Sequence, residues 1–190
     1  MPETMDRREM IIHAAMTCAG EKGWENTTLP DIAAAAKLSL AELHDVFMDK
    51  SDILYGFGRM IDRQVLGDHS AGGETDSCRD LLFDLIMDRF EALNDFRAGI
   101  LSVLDTIKFD PKQTIFAAPH LCRSMSWMLE ASGISTTGLK GAARVAGLTA
   151  IYLKTARIWA EDESVDLAKT MAALDKDLAK AEDWAGRFGF

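Results

Sequence analysis

Two short polar brackets constrain this chain more tightly than any other feature: Thr28-Leu29-Pro30-Asp31 and Ser39-Leu40-Ala41-Glu42. Each opens on a hydroxyl that can accept from a free N–H in the first turn of a helix, and each carries an acid three residues later that can reach back to the cap. Pro30 falls in the first turn, where a helix has no use for the N–H that proline lacks. One helix therefore starts after Thr28 and runs to about Ala36. A second starts at Leu40 and runs to about Phe47, leaving Lys37-Leu38 as a tight connection. Helices this short are marginal alone in water, so Ile32, Ala33, Leu38, Leu43 and Phe47 must pack on a partner. From Arg7 to Ala19 the residues Met10, Ile11, Ala14, Ala15 and Cys18 recur at three and four, which supplies one face of an amphipathic helix closed by Gly20 and Gly23.

Three short helices, the last two joined by a tight turn, have the layout of a helix-turn-helix, which lays its last helix in a DNA major groove. The residues make the likeness specific. The run from Gly23-Trp24 through Thr27-Thr28 to Asp31-Ile32-Ala33, then Leu38-Ser39, then Leu43 to Leu54, resembles the N-terminal domain of TetR-family transcriptional regulators over about the first quarter of the chain. The resemblance implies an all-helical homodimer whose N-terminal module grips operator DNA and whose larger C-terminal domain takes a small molecule. On that pattern Thr28 and Lys50 touch phosphates, and the helix from Leu40, with Ser39, Ala41, Glu42, His44 and Asp45, faces the DNA. Lys37, Ala41 and His44 stand where the family has a turn glycine, a second glycine and a tyrosine. Charge runs against the motif. Met1 to Leu54 holds five basic and ten acidic residues, a net of −5 within −9 for the whole chain, whereas DNA affinity comes largely from Lys and Arg on phosphates. An acid on the recognition helix can accept from a cytosine amino group but repels the backbone.

Downstream, Ser51 caps a fourth helix with Ile53, Leu54, Phe57, Ile61 and Val65 at helical spacing, and Gly67 to Ser77 has the Gly, Ser, Thr and Asp content of a loop. The division that follows is 1–50 for the helix-turn-helix, 51–66 for a connecting helix and 67–190 for a ligand-binding and dimerisation domain. Further helices are expected over Cys78–Leu93, Phe96–Phe109, from Pro111 with Pro119 as a kink or interruption, Leu121–Leu129, Leu139–Ala160 and Val165–Trp184. Within them Phe90, Phe109, Met125, Trp127, Met128 and Trp159 have the bulk and adaptability to line an apolar pocket. The small residues Ala142, Ala143, Ala146, Gly147 and Ala150 let a second helix approach closely, either within one subunit or across a homodimer through the last two helices, and the family resemblance implies the dimer.

A second resemblance lies in this region. Ala146 to Tyr152, Trp159 to Leu167 and Ala181 to Trp184 look like the tail of Coq-nine, the lipid-binding accessory protein of ubiquinone biosynthesis. That family has a TetR fold without DNA binding and holds an isoprenoid lipid, so the resemblance implies a lipid or quinone carrier as the alternative to a regulator.

Composition agrees with an all-α protein: 48% of residues are hydrophobic and 27% charged, there are four prolines, and alternating Val/Ile/Thr runs are scarce. No stretch approaches the roughly 18 apolar residues that span a bilayer, and Met1-Pro2-Glu3-Thr4 does not begin a signal peptide, so the expected compartment is the cytoplasm. Cys18, Cys78 and Cys122 are widely spaced, without CxxC, and read as small core residues rather than a disulfide or zinc set. His120-Leu121-Cys122 has no further ligands at a metal-binding spacing. The chain contains no GxSxG, phosphate loop, dinucleotide fingerprint or HExxH, so the expectation is a non-enzyme with no cofactor.

Overall fold

A computed structural model of the chain describes residues 6–68, 77–108 and 111–188. Its described residues form nine helices and no strand: α1 (Arg7–Lys22), α2 (Leu29–Ala35), α3 (Leu40–His44), α4 (Lys50–Asp68), α5 (Cys78–Asn94), α6 (Arg97–Lys108), α7 (Pro111–Ala131), α8 (Gly138–Glu161) and α9 (Ala168–Phe188). None of them is long and apolar enough to cross a membrane.

The helices sort into two compact units that interleave along the sequence. Residues 1–62 and 93–120 make the first, and residues 63–92 and 121–190 the second. In this grouping α6 and the start of α7 go with the N-terminal helices, across the expected division at 50 and 66. The cause is a close helix approach. A Cβ built on Gly99 would collide with the Met16 carbonyl of α1, and one on Gly20 would lie 3.1 Å from Ala98 Cβ. The Trp24 N–H also donates to Ser102 Oγ at 2.7 Å, tying the α1–α2 loop to α6. Ile11, Ile12, Ala15, Ile32, Leu43, Phe47 and Ile53 fill this unit's core.

In the second unit Leu85, Ile86, Phe90, Met125, Met128, Trp159 and Leu174 are buried. Phe90 stacks on Tyr152 at 5.1 Å and on Trp159 at 6.2 Å between centroids. Helix α7 continues unbroken through Pro119. Proline removes one donor, and the buried Met125, Met128 and Leu129 that follow keep the helix on course. Helix α3 ends at His44, short of Phe47, because the next amides tighten: Val46 N–H turns to the Leu43 carbonyl at 3.0 Å while Phe47 N–H uses the same oxygen at 2.9 Å. Of the loop expected over Gly67 to Ser77, Gly67 and Asp68 close α4, and residues 69–76 lie outside the described residues.

Two corners carry the local chemistry. Asp162, just after α8 and only 1% exposed, accepts from Ser164 N–H at 3.1 Å and Ser164 Oγ at 2.5 Å with one oxygen. Its other oxygen accepts from Thr170 N–H at 2.9 Å and Thr170 Oγ1 at 2.8 Å. A buried carboxylate thus caps the start of α9 from eight residues away. Burial on its own pushes the Asp162 carboxyl up, but these four donors outweigh it and hold the group far below the usual aspartate range. The second corner is the helix-turn-helix.

Candidate nucleic-acid interface

The two sequence brackets form as two capping boxes. At α2, Asp31 N–H donates to Thr28 Oγ1 at 3.3 Å, and Asp31 Oδ2 accepts from Thr28 N–H at 2.8 Å and Thr28 Oγ1 at 2.5 Å. At α3, Glu42 N–H donates to Ser39 Oγ at 3.2 Å, and Glu42 Oε2 accepts from Ser39 N–H and Ser39 Oγ, both at 2.9 Å. Lys22 lies 2.5 Å from the same Asp31 oxygen. Lys22, then the Thr28 donors, hold the Asp31 carboxyl well below its usual range. The Ser39 N–H and then its hydroxyl lower Glu42.

Between the boxes the chain turns through Ala36, Lys37 and Leu38. Lys37 N–H donates to the Ala34 carbonyl at 3.1 Å and Leu38 N–H to the Ala33 carbonyl at 2.9 Å, the pair of bonds that ends a helix on one left-handed residue. That residue is Lys37, with φ +57°. The turn directs α3 so that Leu43 is buried at 1% exposure while Leu40, at 51%, faces solvent. Ala41, His44 and Asp45 are exposed beside it.

The expected DNA-facing residues therefore separate into two groups. Leu40, Ala41, His44 and Asp45 present a free outer surface. Thr28, Ser39 and Glu42 are committed to the caps, their polar atoms turned onto each other. Lys50 is also committed: its Nζ donates to the Trp24 carbonyl at 2.6 Å and sits 4.5 Å above the Trp24 ring. Burial there pushes the Lys50 ammonium down from its ordinary value, and the residue fixes the α1–α2 loop.

The second unit carries a cavity of about 400 Å³. Leu82, Leu129, Leu148, Ile151, Leu178 and Trp184 supply its apolar wall, with Arg79, Arg144 and Glu182 as charged members. It opens where Ala143 and Gly147 on α8 and Ala181 and Ala185 on α9 leave space. None of the aromatic and methionine residues expected to line a pocket is on this wall. Phe90, Met125, Met128 and Trp159 turn inward and form core, Trp127 is 58% exposed, and Phe109 lies outside the described residues. Bulk drew those residues to the interior, whereas space is made by small ones, so the Ala142 to Ala150 run was the better signal. Cys18 is buried as expected, but Cys78 is exposed on the cavity rim and Cys122 is partly buried. Among the described residues no three His, Cys, Asp or Glu side chains cluster as metal ligands would.

Residues 11–55 match the N-terminal domain described as bacterial regulatory proteins, tetR family. The HTH-type nicotine-responsive transcriptional repressor HdnoR of Paenarthrobacter nicotinovorans is 28% identical over 123 residues, which is 60% of this chain and 63% of that protein. The chain thus spans less than two thirds of that curated relative. The crystal structure of a TetR transcriptional regulator from Nitrosomonas europaea ATCC 19718 matches with a TM-score of 0.76 at 27% identity, over 92% of this chain and 97% of that one. A TetR transcriptional regulator from Rhodococcus sp. RHA1 shares the fold at a TM-score of 0.67 and 17% identity, over 91% and 93%.

Proposed function

We propose that this chain is a TetR-family transcriptional regulator, a reading supported by the match of residues 11–55 and by its fold, and that it binds operator DNA through α3 under the control of an apolar small molecule. The observation that carries the reading is the division of labour on α3. Leu43 anchors the helix in the core while Leu40, Ala41, His44 and Asp45 remain exposed and uncommitted on the outside. Exposed side chains on a short, rigidly capped helix are what major-groove readout requires. Leu40 and Ala41 suit a thymine methyl, and Asp45 suits a cytosine amino group, with Glu42 withdrawn into its cap.

The ligand's place on this reading is the cavity in the second unit, whose wall is mostly apolar. A homodimer through α8 and α9 accounts for Leu139 at 92%, Leu153 at 47%, Met171 at 41% and Trp184 at 54% exposure, large apolar groups that a second copy would cover. Occupancy of the cavity then alters the spacing of the two recognition helices through α4, which contributes residues to both units.

The test is fluorescence anisotropy with duplex from the chain's own upstream region and with unrelated duplex, from low salt upward. Tighter binding to the upstream duplex supports the reading, and no binding to either at the lowest salt overturns it, since phosphate attraction is greatest there. The net charge of −5 over Met1 to Leu54 favours, as the second reading, a TetR-fold protein that does not bind DNA, such as a lipid or quinone carrier. It predicts no DNA binding and a co-purifying isoprenoid lipid in native mass spectrometry.

A further inference from the structure

Five basic residues lie between Met1 and Leu54, and four of them are engaged within the module. Arg7 approaches Glu42 at 3.8 Å, Arg8 lies 4.6 Å over the Phe47 ring, Lys22 pairs with Asp31, and Lys50 holds the Trp24 carbonyl. Lys37 is the fifth. It is exposed, and its side chain makes no hydrogen bond, ion pair or ring contact among the described residues.

Its backbone makes this more notable. At φ +57° Lys37 occupies a left-handed conformation that glycine adopts freely and a residue with a Cβ adopts only against steric strain. The other non-glycine residue of this kind among the described residues, Leu167 at φ +52°, buries its side chain to 3% exposure, so its own packing offsets the strain. Lys37 has no such return, because its side chain points into water. The two backbone bonds that close α2 hold Lys37 in this conformation, and residues held so cluster at functional sites.

We infer that Lys37 is a DNA-phosphate contact, placed in the turn of the helix-turn-helix to supply the positive charge that its other cations have spent on each other's surroundings. The exposed Ala34 and Ala35 that precede it leave no bulky group beside it to hold a strand away, and Ser39 begins α3 two residues later. Among the described residues up to Leu54, Lys37 is thus the basic side chain left without a partner in the module.

The inference rests on the DNA-binding reading, and its test separates the two. Anisotropy across a salt series is measured for the parent, Lys37→Gly, Lys37→Asn and Lys37→Arg, with thermal unfolding of each. Asn tolerates the left-handed conformation, and Gly relieves it, so both remove charge without unfolding the turn. The expected result is that Gly and Asn bind about tenfold more weakly at low salt, with the slope of log affinity against log salt shallower by about one per protomer. Lys37→Arg keeps both affinity and slope, and Lys37→Gly melts no lower than the parent. If the parent binds and the Gly and Asn variants bind equally well with an unchanged slope, Lys37 is not a contact. If the parent binds no DNA at all, the regulator reading falls and the inference with it.

Discussion

Both α2 and α9 begin on a carboxylate, yet the two starts are built differently. At α2, and again at α3, the acid sits three residues from its cap, in solvent, and every capping bond stays within four residues of sequence. At α9 the acid comes from the end of α8, is buried, and bonds Ser164 of the intervening corner and Thr170, the third residue of the new helix. Exposed caps can be replaced by water when lost, so each is worth little. A buried cap leaves four donors stranded. The N-terminal module thus acquires its shape from cheap, local, repeated devices that leave its outer face free, while the α8–α9 corner concentrates its stability in a single side chain.

The sharpest way to break that comparison is Asp162→Ala. It should cost roughly 3 kcal/mol, from the stranded Ser164 and Thr170 donors, and Asp162→Asn should cost less, since one acceptor survives. Urea unfolding measures both. A loss for Asp162→Ala no larger than for an exposed cap would show that water reaches the corner.

Next comes packing at the α1–α6 crossing. Gly99→Ala pushes a methyl into the Met16 carbonyl and should destabilise by about 2 kcal/mol, with a lower melting temperature as the readout. No loss would mean that α6 is free to move away from α1.

Single cap removals should be smaller, about 1 kcal/mol each for Thr28→Ala and Ser39→Ala. Their sites share no partner, so the double variant should lose the sum; strong departure from additivity in thermal unfolding would mean that the two helices form as one unit.

The smallest effect is in pH. Asp162 has a folded-state pKa below its ordinary 3.8, so the stability it provides is complete above that value and declines as pH falls beneath it. The stability gap between the parent and Asp162→Ala should therefore be constant from neutrality down to that region and shrink below it. A gap that begins to close well above 3.8 would contradict the buried, fully bonded carboxylate.

The two kinds of corner were unequally legible. Thr28, Asp31, Ser39 and Glu42 carry their partners within a short window, so sequence alone located both helices and the turn. Asp162 bonds Thr170 across a corner, and in sequence Glu161-Asp162-Glu163 looks like a solvated helix end. The same limit explains the cavity. Which large side chains turn inward depends on three helices at once, so the expected Phe90, Met125, Met128 and Trp159 became core while the opening formed beside Ala143 and Gly147. It also explains Lys50 and Lys37: position in the motif suggested Lys50 for phosphate, and only the fold shows that Lys50 is occupied by Trp24 and Lys37 is free.

Hydrogen–deuterium exchange of the intact chain with and without a duplex of its upstream region tests the central claim most directly. The prediction is slowed exchange confined to Lys37 through Phe47 in the N-terminal unit, with the amides of the Asp162 corner unchanged. Exchange at Lys37 through Phe47 that is the same with and without duplex would contradict it.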